Sequence, residues 1–272
     1  TRLTGNLKLD LFGFVSVEGD FGIESKQGEV VLAGVQDDPQ TTDVNEATAP
    51  VAVDMLLIGG SNLSAFVGAG DKGLNLSGIG LGLALITEQV QGTTPARSWT
   101  SAQATIESAS FDGVEGLTIA VNTLALQVNR EATDGSVVDF GLTESTSDAA
   151  DARNTNLEIA TGPTTSLKLG MDGADGQLTR LTGNLELDLF GFVTVSGDFG
   201  IESKQGQVKL AGVQDDPLTP EDETLVDVDM LLIGGSNLSA FVGAGDVGLN
   251  LSGMGLGLAL MTERVDAPAA GQ

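Results

Sequence analysis

The sequence predicts an all-β fold, elongated and built from repeated modules. It reads as a β-solenoid-like rod or as stacked β-sheet modules, with a string of tandem β-sandwich domains as the alternative. Three observations lead there: apolar and polar residues alternate at period two, the chain repeats itself almost verbatim, and no stretch joins a helical period to caps.

The alternation is clearest at the start. From Leu3 to Ile23 the odd positions carry Leu3, Leu7, Leu9, Leu11, Val15, Val17, Phe21 and Ile23, while the even ones are mostly polar. That is the pattern of a strand with one face in and one face out. A single strand over this stretch would span roughly 70 Å, so breaks or bends are expected at Gly13 and at Gly19-Asp20. Further strands read as Val51–Ile58, Leu63–Val67, Ala104–Ser110, Val137–Phe140, Leu157–Ala160 and Leu167–Met171. The acidic, polar tracts at 37–50, 144–156 and 215–223 read as exposed loops.

The repeat is long. Arg2–Pro39 returns as Arg180–Pro217 with five differences in 38 positions, and Val53–Glu88 returns as Val228–Glu263 with three differences in 36. Lys8/Glu186, Glu18/Ser196 and Val31/Lys209 are expected on outward-facing positions, and Ile86/Met261 at a shielded one. A finer plan underlies this period. Leu74, Leu117, Leu178 and Leu249 each follow a glycine turn and open a similar leucine pattern. The predicted modules are therefore 1–73, 74–116, 117–177, 178–248 and the start of another at 249–272. With one and a half periods and Thr1 in first place, the expectation is a window on a longer tandem array.

Composition removes whole classes of chemistry. There is no His and no Cys among 272 residues, so no Ser-His-Asp triad, cysteine nucleophile, disulfide, or imidazole or thiolate metal site can exist. Thirty-eight acidic and 12 basic residues give a net charge of -26, which repels nucleic acid and anionic membrane surfaces. No run of 18 apolar residues occurs, so no membrane-spanning helix is expected. Gly-Gly at 59–60 and 234–235 lacks any phosphate-loop context. Nothing singles out a catalytic carboxylate pair, and the chain is read as not an enzyme. Trp99, alone of its kind, is expected as a core anchor.

Two sets of candidate site residues remain. Hard cations take carboxylate oxygens in glycine turns, which makes Asp71, Asp112, Glu115, Asp172, Asp175 and Asp246, with Asp20 and Asp198 in Gly-Asp-Phe-Gly, candidates for Ca2+. Asp and Gly also simply make tight turns, and a solvated acidic surface accounts for the charge as well. Phe12 and Phe14, with their counterparts Phe190 and Phe192, flank a glycine on the polar side of the pattern. They either pack locally or form an assembly interface with another module or chain.

The unit Leu-Thr-Gly-Asn-Leu-(Lys/Glu)-Leu-Asp-Leu-Phe-Gly-Phe-Val resembles the repeats of very long tandem-repeat surface or secreted proteins of bacteria, and so does Leu-Ile-Gly-Gly-Ser-Asn-Leu-Ser-Ala-Phe-Val-Gly. No glycine-aspartate nonapeptide of the calcium β-roll type accompanies it. The resemblance implies an extracellular filament, biofilm matrix or adhesin stalk. Its partners would be copies of itself, and in the adhesin version a glycan or cell surface.

Overall fold

A computed structural model describes residues 1–34, 50–90, 95–141, 157–210, 225–245 and 247–264. The tracts expected as acidic loops lie outside the described residues, apart from Pro50. The fold is all-β. Its strands are β1 (Arg2–Leu11), β2 (Val15–Val30), β3 (Leu32–Ala33), β4 (Val51–Ala69), β5 (Lys72–Glu88), β6 (Ser98–Ile106), β7 (Ser108–Asp112) and β8 (Leu117–Arg130). There follow β9 (Val137–Val138), β10 (Glu158–Ala160), β11 (Ser166–Lys168), β12 (Leu178–Leu189), β13 (Val193–Lys209), β14 (Leu225–Ala244) and β15 (Val247–Glu263).

Eleven strands form one antiparallel sheet in the order β1-β2-β4-β5-β6-β8-β12-β13-β14-β15, with β7 beside β5 and β8. The two long repeats make its two flanks, and their registers match. Leu3 faces Ile23 as Leu181 faces Ile201. Gly22 faces Gly59 as Gly200 faces Gly234, and Gly59 faces Gly82 as Gly234 faces Gly257.

The expected break at Gly13 is a tight turn between β1 and β2. At Gly19-Asp20, where a break or bend is expected, β2 does not break. The strain goes into a bulge instead. The β2–β4 register slips between Glu18 and Asp20, and Asn62 takes a positive φ of 51°. Asn tolerates that conformation better than most residues. Gly19 makes the bulge possible, since a Cβ there would come within 2.7 Å of Leu63. The bulge also joins the two strands expected at 51–58 and 63–67 into the 19 residues of β4.

The two faces of the sheet differ. The odd-numbered leucines of β1 lie on a face the chain does not cover: Leu3 is 70% exposed and Leu7 51%. Period two separates two faces but does not say which one is buried. The core lies on the other face. There Val53, Met55 and Leu57 of β4, Ala84 and Ile86 of β5 and Trp99 of β6 meet Val138, Phe140, Leu157, Ile159, Leu169 and Met171. Trp99 is the core anchor the sequence predicts, and its Nε1 donates to the Ser136 carbonyl at 3.0 Å. Ser101 and Asn129, both fully buried, are satisfied within the same layer: Ser101 donates to Asn129, and Asn129 donates to the Val138 carbonyl. Val31, expected outside, is 8% exposed, because β3 pairs with β9 beside it.

The cover over this face is the β10–β11 hairpin with its flanking residues. It lies on β2, β4 and β5, where Gly22, Gly59 and Gly82 form a row across three strands. The row makes the contact possible. A Cβ on Gly22 or Gly59 would stand 2.3 Å from the Ala160 carbonyl oxygen, and one on Gly82 would stand 2.7 Å from Leu167. Ser61 at the margin holds the hairpin by two bonds, donating to the Thr161 carbonyl at 3.1 Å and meeting Thr165 Oγ1 at 3.0 Å.

Candidate assembly surfaces and acidic turns

The phenylalanine turns are built identically in both repeats. Phe12 and Gly13 take φ of 57° and 71°, and Phe190 and Gly191 take 58° and 67°. Asp10 accepts from the Gly13 amide at 2.9 Å and Asp188 from the Gly191 amide at 2.7 Å, which holds each turn. A bulky residue with positive φ is uncommon, so the rings are presented at a backbone cost. Phe12 is 94% exposed and Phe14 59%. Phe190 and Phe192 are also exposed, although the Phe190 ring sits against Gly116. The strand order places both turns at the same end of the sheet.

The acidic candidates are spread over three places. Asp71, Asp112 and Glu115 lie at the same end of the sheet as the phenylalanine turns, Asp172 and Asp175 precede β12 at the opposite end, and Asp20 and Asp198 lie within β2 and β13. Asp246 is outside the described residues. Several already have protein partners. Asp112 accepts from Asn75 at 2.8 Å, and Asp172 caps the 3-10 turn Gly173–Asp175 by accepting from the Ala174 amide at 2.9 Å. Asp175 pairs with Arg180 at 3.2 Å. Asp198 accepts from Asn184 and Asn237, both at 2.9 Å, and these bonds hold its carboxyl below its ordinary value. Among the described residues no three acidic side chains converge on one point.

One charge cluster is not among the residues the sequence singles out. Arg97 forks onto Glu88 with bonds of 2.8 and 2.7 Å and reaches Asp134 at 2.9 Å. The Arg97 hydrogen bond pulls Glu88 down from its ordinary value and Glu88 raises Arg97 in return. Asp134 is also lowered; burial opposes the shift, and hydrogen bonds from Ser136 and Arg97 outweigh it. The guanidinium lies 5.3 Å from the Trp99 ring centre, so the cluster closes one margin of the core.

Each repeat has a surface that is covered in the other copy and lacks a neighbour in its own. The outer edge of β12 pairs with β8, but the same edge of its counterpart β1 is an edge of the sheet. The outer edge of β5 pairs with β6 and β7, but that of its counterpart β15 is the other edge. The glycine row also recurs as Gly200, Gly234 and Gly257, with nothing within 4 Å of a Cβ on Gly234 or Gly257. A groove of about 660 Å³, lined in part by Thr182, Asp198, Gly200, Gly234 and Ser236, lies there. Met261 is 52% exposed where its counterpart Ile86 is 1% exposed.

No helix among the described residues is long and apolar enough to cross a membrane. The chain matches no protein-family profile, no curated protein and no solved structure.

Proposed function

We propose that the chain is a structural segment of a β-rich repeat array that builds an extracellular filament or matrix. Units join by strand-edge pairing, without covalent links and without catalysis. The observation that carries this reading is the state of the two sheet edges. Each edge strand is a near-copy of a strand that pairs on that same edge inside the sheet. β1 therefore offers a β8-type partner the edge that β12 gives to β8, and β15 offers a β6–β7-type partner the edge that β5 gives to β6 and β7. The two edges are different, so β1 of one unit against β15 of the next is a heterologous joint, which grows an open filament where its rotation does not close a ring.

The β15 edge also lacks the usual protection. β15 runs 17 residues with no proline and no charge before Glu263. A long, apolar, unprotected edge is a template for another strand. The exposed phenylalanine turns lie at one end of this sheet, where they would meet neighbouring units. The net charge of -26 keeps the assembled surfaces soluble and apart.

Electron microscopy of the concentrated chain with an edge-blocked variant tests this. The Glu88 amide donates outward to Arg97, and the Gln89 amide donates inward to Ala52. Arg264, the counterpart of Gln89, likewise donates inward to Asp227. By alternation the Ala259 amide points out from the edge, so Ala259→Pro removes an outward donor and spares the β14 ladder. Extended ribbons in the parent chain, lost in Ala259→Pro with unchanged circular dichroism, are expected. Monomers at every concentration, or ribbons that persist in the variant, overturn the edge-pairing reading.

A further inference from the structure

The second glycine row lies in a groove with the same floor as the first, and in the first the structure contains the occupant. The β10–β11 hairpin rests on β2, β4 and β5, the strands that recur as β13, β14 and β15. The residues beneath the hairpin recur unchanged: Gly22, Gly59, Ser61 and Gly82 become Gly200, Gly234, Ser236 and Gly257. The hairpin sequence itself, Leu157 to Met171, occurs once. Residues 1–272 thus hold two seats and one hairpin.

We propose that the face of β13–β15 is a second seat for this hairpin, filled by the Leu157–Met171 segment of another copy of the repeat unit. Ala160 lies over Gly234 as it lies over Gly59, Ser236 takes the place of Ser61 as donor to the Thr161 carbonyl, and Ile159 and Leu169 cover Leu232 and Ala259. The groove is open enough to receive it, because the central glycines have no neighbour at the Cβ position. Charge does not oppose the seating: the hairpin carries one acid and one base on its strands, Glu158 and Lys168, set opposite each other. The substitution of Val31 by Lys209 falls beside β9 in the first copy, outside the hairpin, so it does not obstruct it. The seat is on a face and the filament joints are on edges, so the proposal stands apart from the edge-pairing reading.

Calorimetric titration of the full chain with a synthetic peptide of residues 157–171 tests it. Saturable one-to-one binding is expected, with protection of Met230 and Met261 from peroxide oxidation read by mass spectrometry. Gly234→Leu fills the row where a side chain meets nothing, so its fold survives while peptide affinity falls about tenfold or more. Absence of binding at millimolar peptide overturns the proposal. So does equal binding to Gly234→Leu, because that places the peptide elsewhere or in exchange with the chain's own hairpin. A dimer that forms without peptide and is lost in Gly234→Leu supports it as well, because the hairpin of a second chain then fills the seat.

Discussion

The repeat supplies a matched pair of substitutions that isolates the hairpin's contribution. Gly59 and Gly234 sit in the same sequence, Leu-Leu-Ile-Gly-Gly-Ser-Asn-Leu-Ser, on the same strand, in the same register against the same two neighbours. Only the cover differs. An alanine at 59 puts a methyl group 2.3 Å from the Ala160 carbonyl oxygen and 3.0 Å from Ile159 Cγ2, both far inside contact distance. The hairpin backbone must lift, and overpacking of this kind costs about 1–3 kcal/mol. An alanine at 234 meets nothing. It reduces the freedom of the unfolded chain and stabilises by about 0.4–1 kcal/mol. The difference between the twins is therefore about 1.5–4 kcal/mol. For a sheet of this size that is about 3–16 °C in Tm, at roughly 2–4 °C per kcal/mol. Differential scanning calorimetry on both variants measures it. Serial exposure of Trp99 fluorescence to quencher shows whether the loss is local, since Trp99 is 2% exposed under the cover. Equal shifts at 59 and 234, in either direction, would refute the argument that the glycine row exists to admit the hairpin.

Arg97→Met keeps the aliphatic stem beside Trp99 and removes the fork onto Glu88 and Asp134. It is expected to cost about 1–2 kcal/mol at pH 7, discounted for the partial exposure of Asp134. Both acids are held below their ordinary values of 4.5 and 3.8. A depressed carboxylate contributes stability above its unfolded pKa and loses it as pH falls through the folded one. The gap between parent and variant in urea titrations should thus be full at neutral pH and close below about pH 4.5; a gap that stays constant to pH 3 would contradict the assignment. As for cations, Asp112, Asp172, Asp175 and Asp198 already accept protein donors, so EDTA is expected to leave Tm unchanged and millimolar calcium to leave it unraised. A site filled to a hundred times its Kd would add about 2.7 kcal/mol, which the same calorimetry would detect.

Much of the sheet was legible because alternation and repetition are local signals. The strands at 51–58 and 63–67 could be read, and so could the turn at Gly13. Their fusion into one strand could not, because it depends on Asn62 taking a positive φ opposite Gly19 on another strand. The leucine face could be read as a face, but not as the covered or the uncovered one. Alternation gives that face and its opposite equal claim, and the decision rests with the segment 157–171, whose short strands pack on β2, β4 and β5 from far along the chain. Gly59 could be noticed as half of a Gly-Gly pair. Its real partners, Gly22 and Gly82, emerge only once three strands are laid in register. The phenylalanine turns could be picked out because a bulky residue on either side of a glycine breaks the alternation. The acids could be listed but not grouped, since spacing along the chain does not say which carboxylates meet an Asn or an Arg across the sheet.

The two flanks also separate what a sequence encodes from what its surroundings supply. Met55 is 5% exposed and its identical counterpart Met230 is only partly buried; Ile86 is 1% exposed and Met261, its counterpart, 52%. Local sequence cannot account for the difference, because the flanking residues are the same. Exposing a large apolar side chain forfeits about 1.5–3 kcal/mol of burial, yet the second copy keeps Met230, Leu232 and Met261 apolar and keeps its glycine row open. A face that stayed in water would not need glycines at 200, 234 and 257, since glycine weakens a strand unless something approaches its backbone closely. The glycine row in the second copy therefore has a structural purpose only when a backbone lies on it, as Ala160 lies on the first.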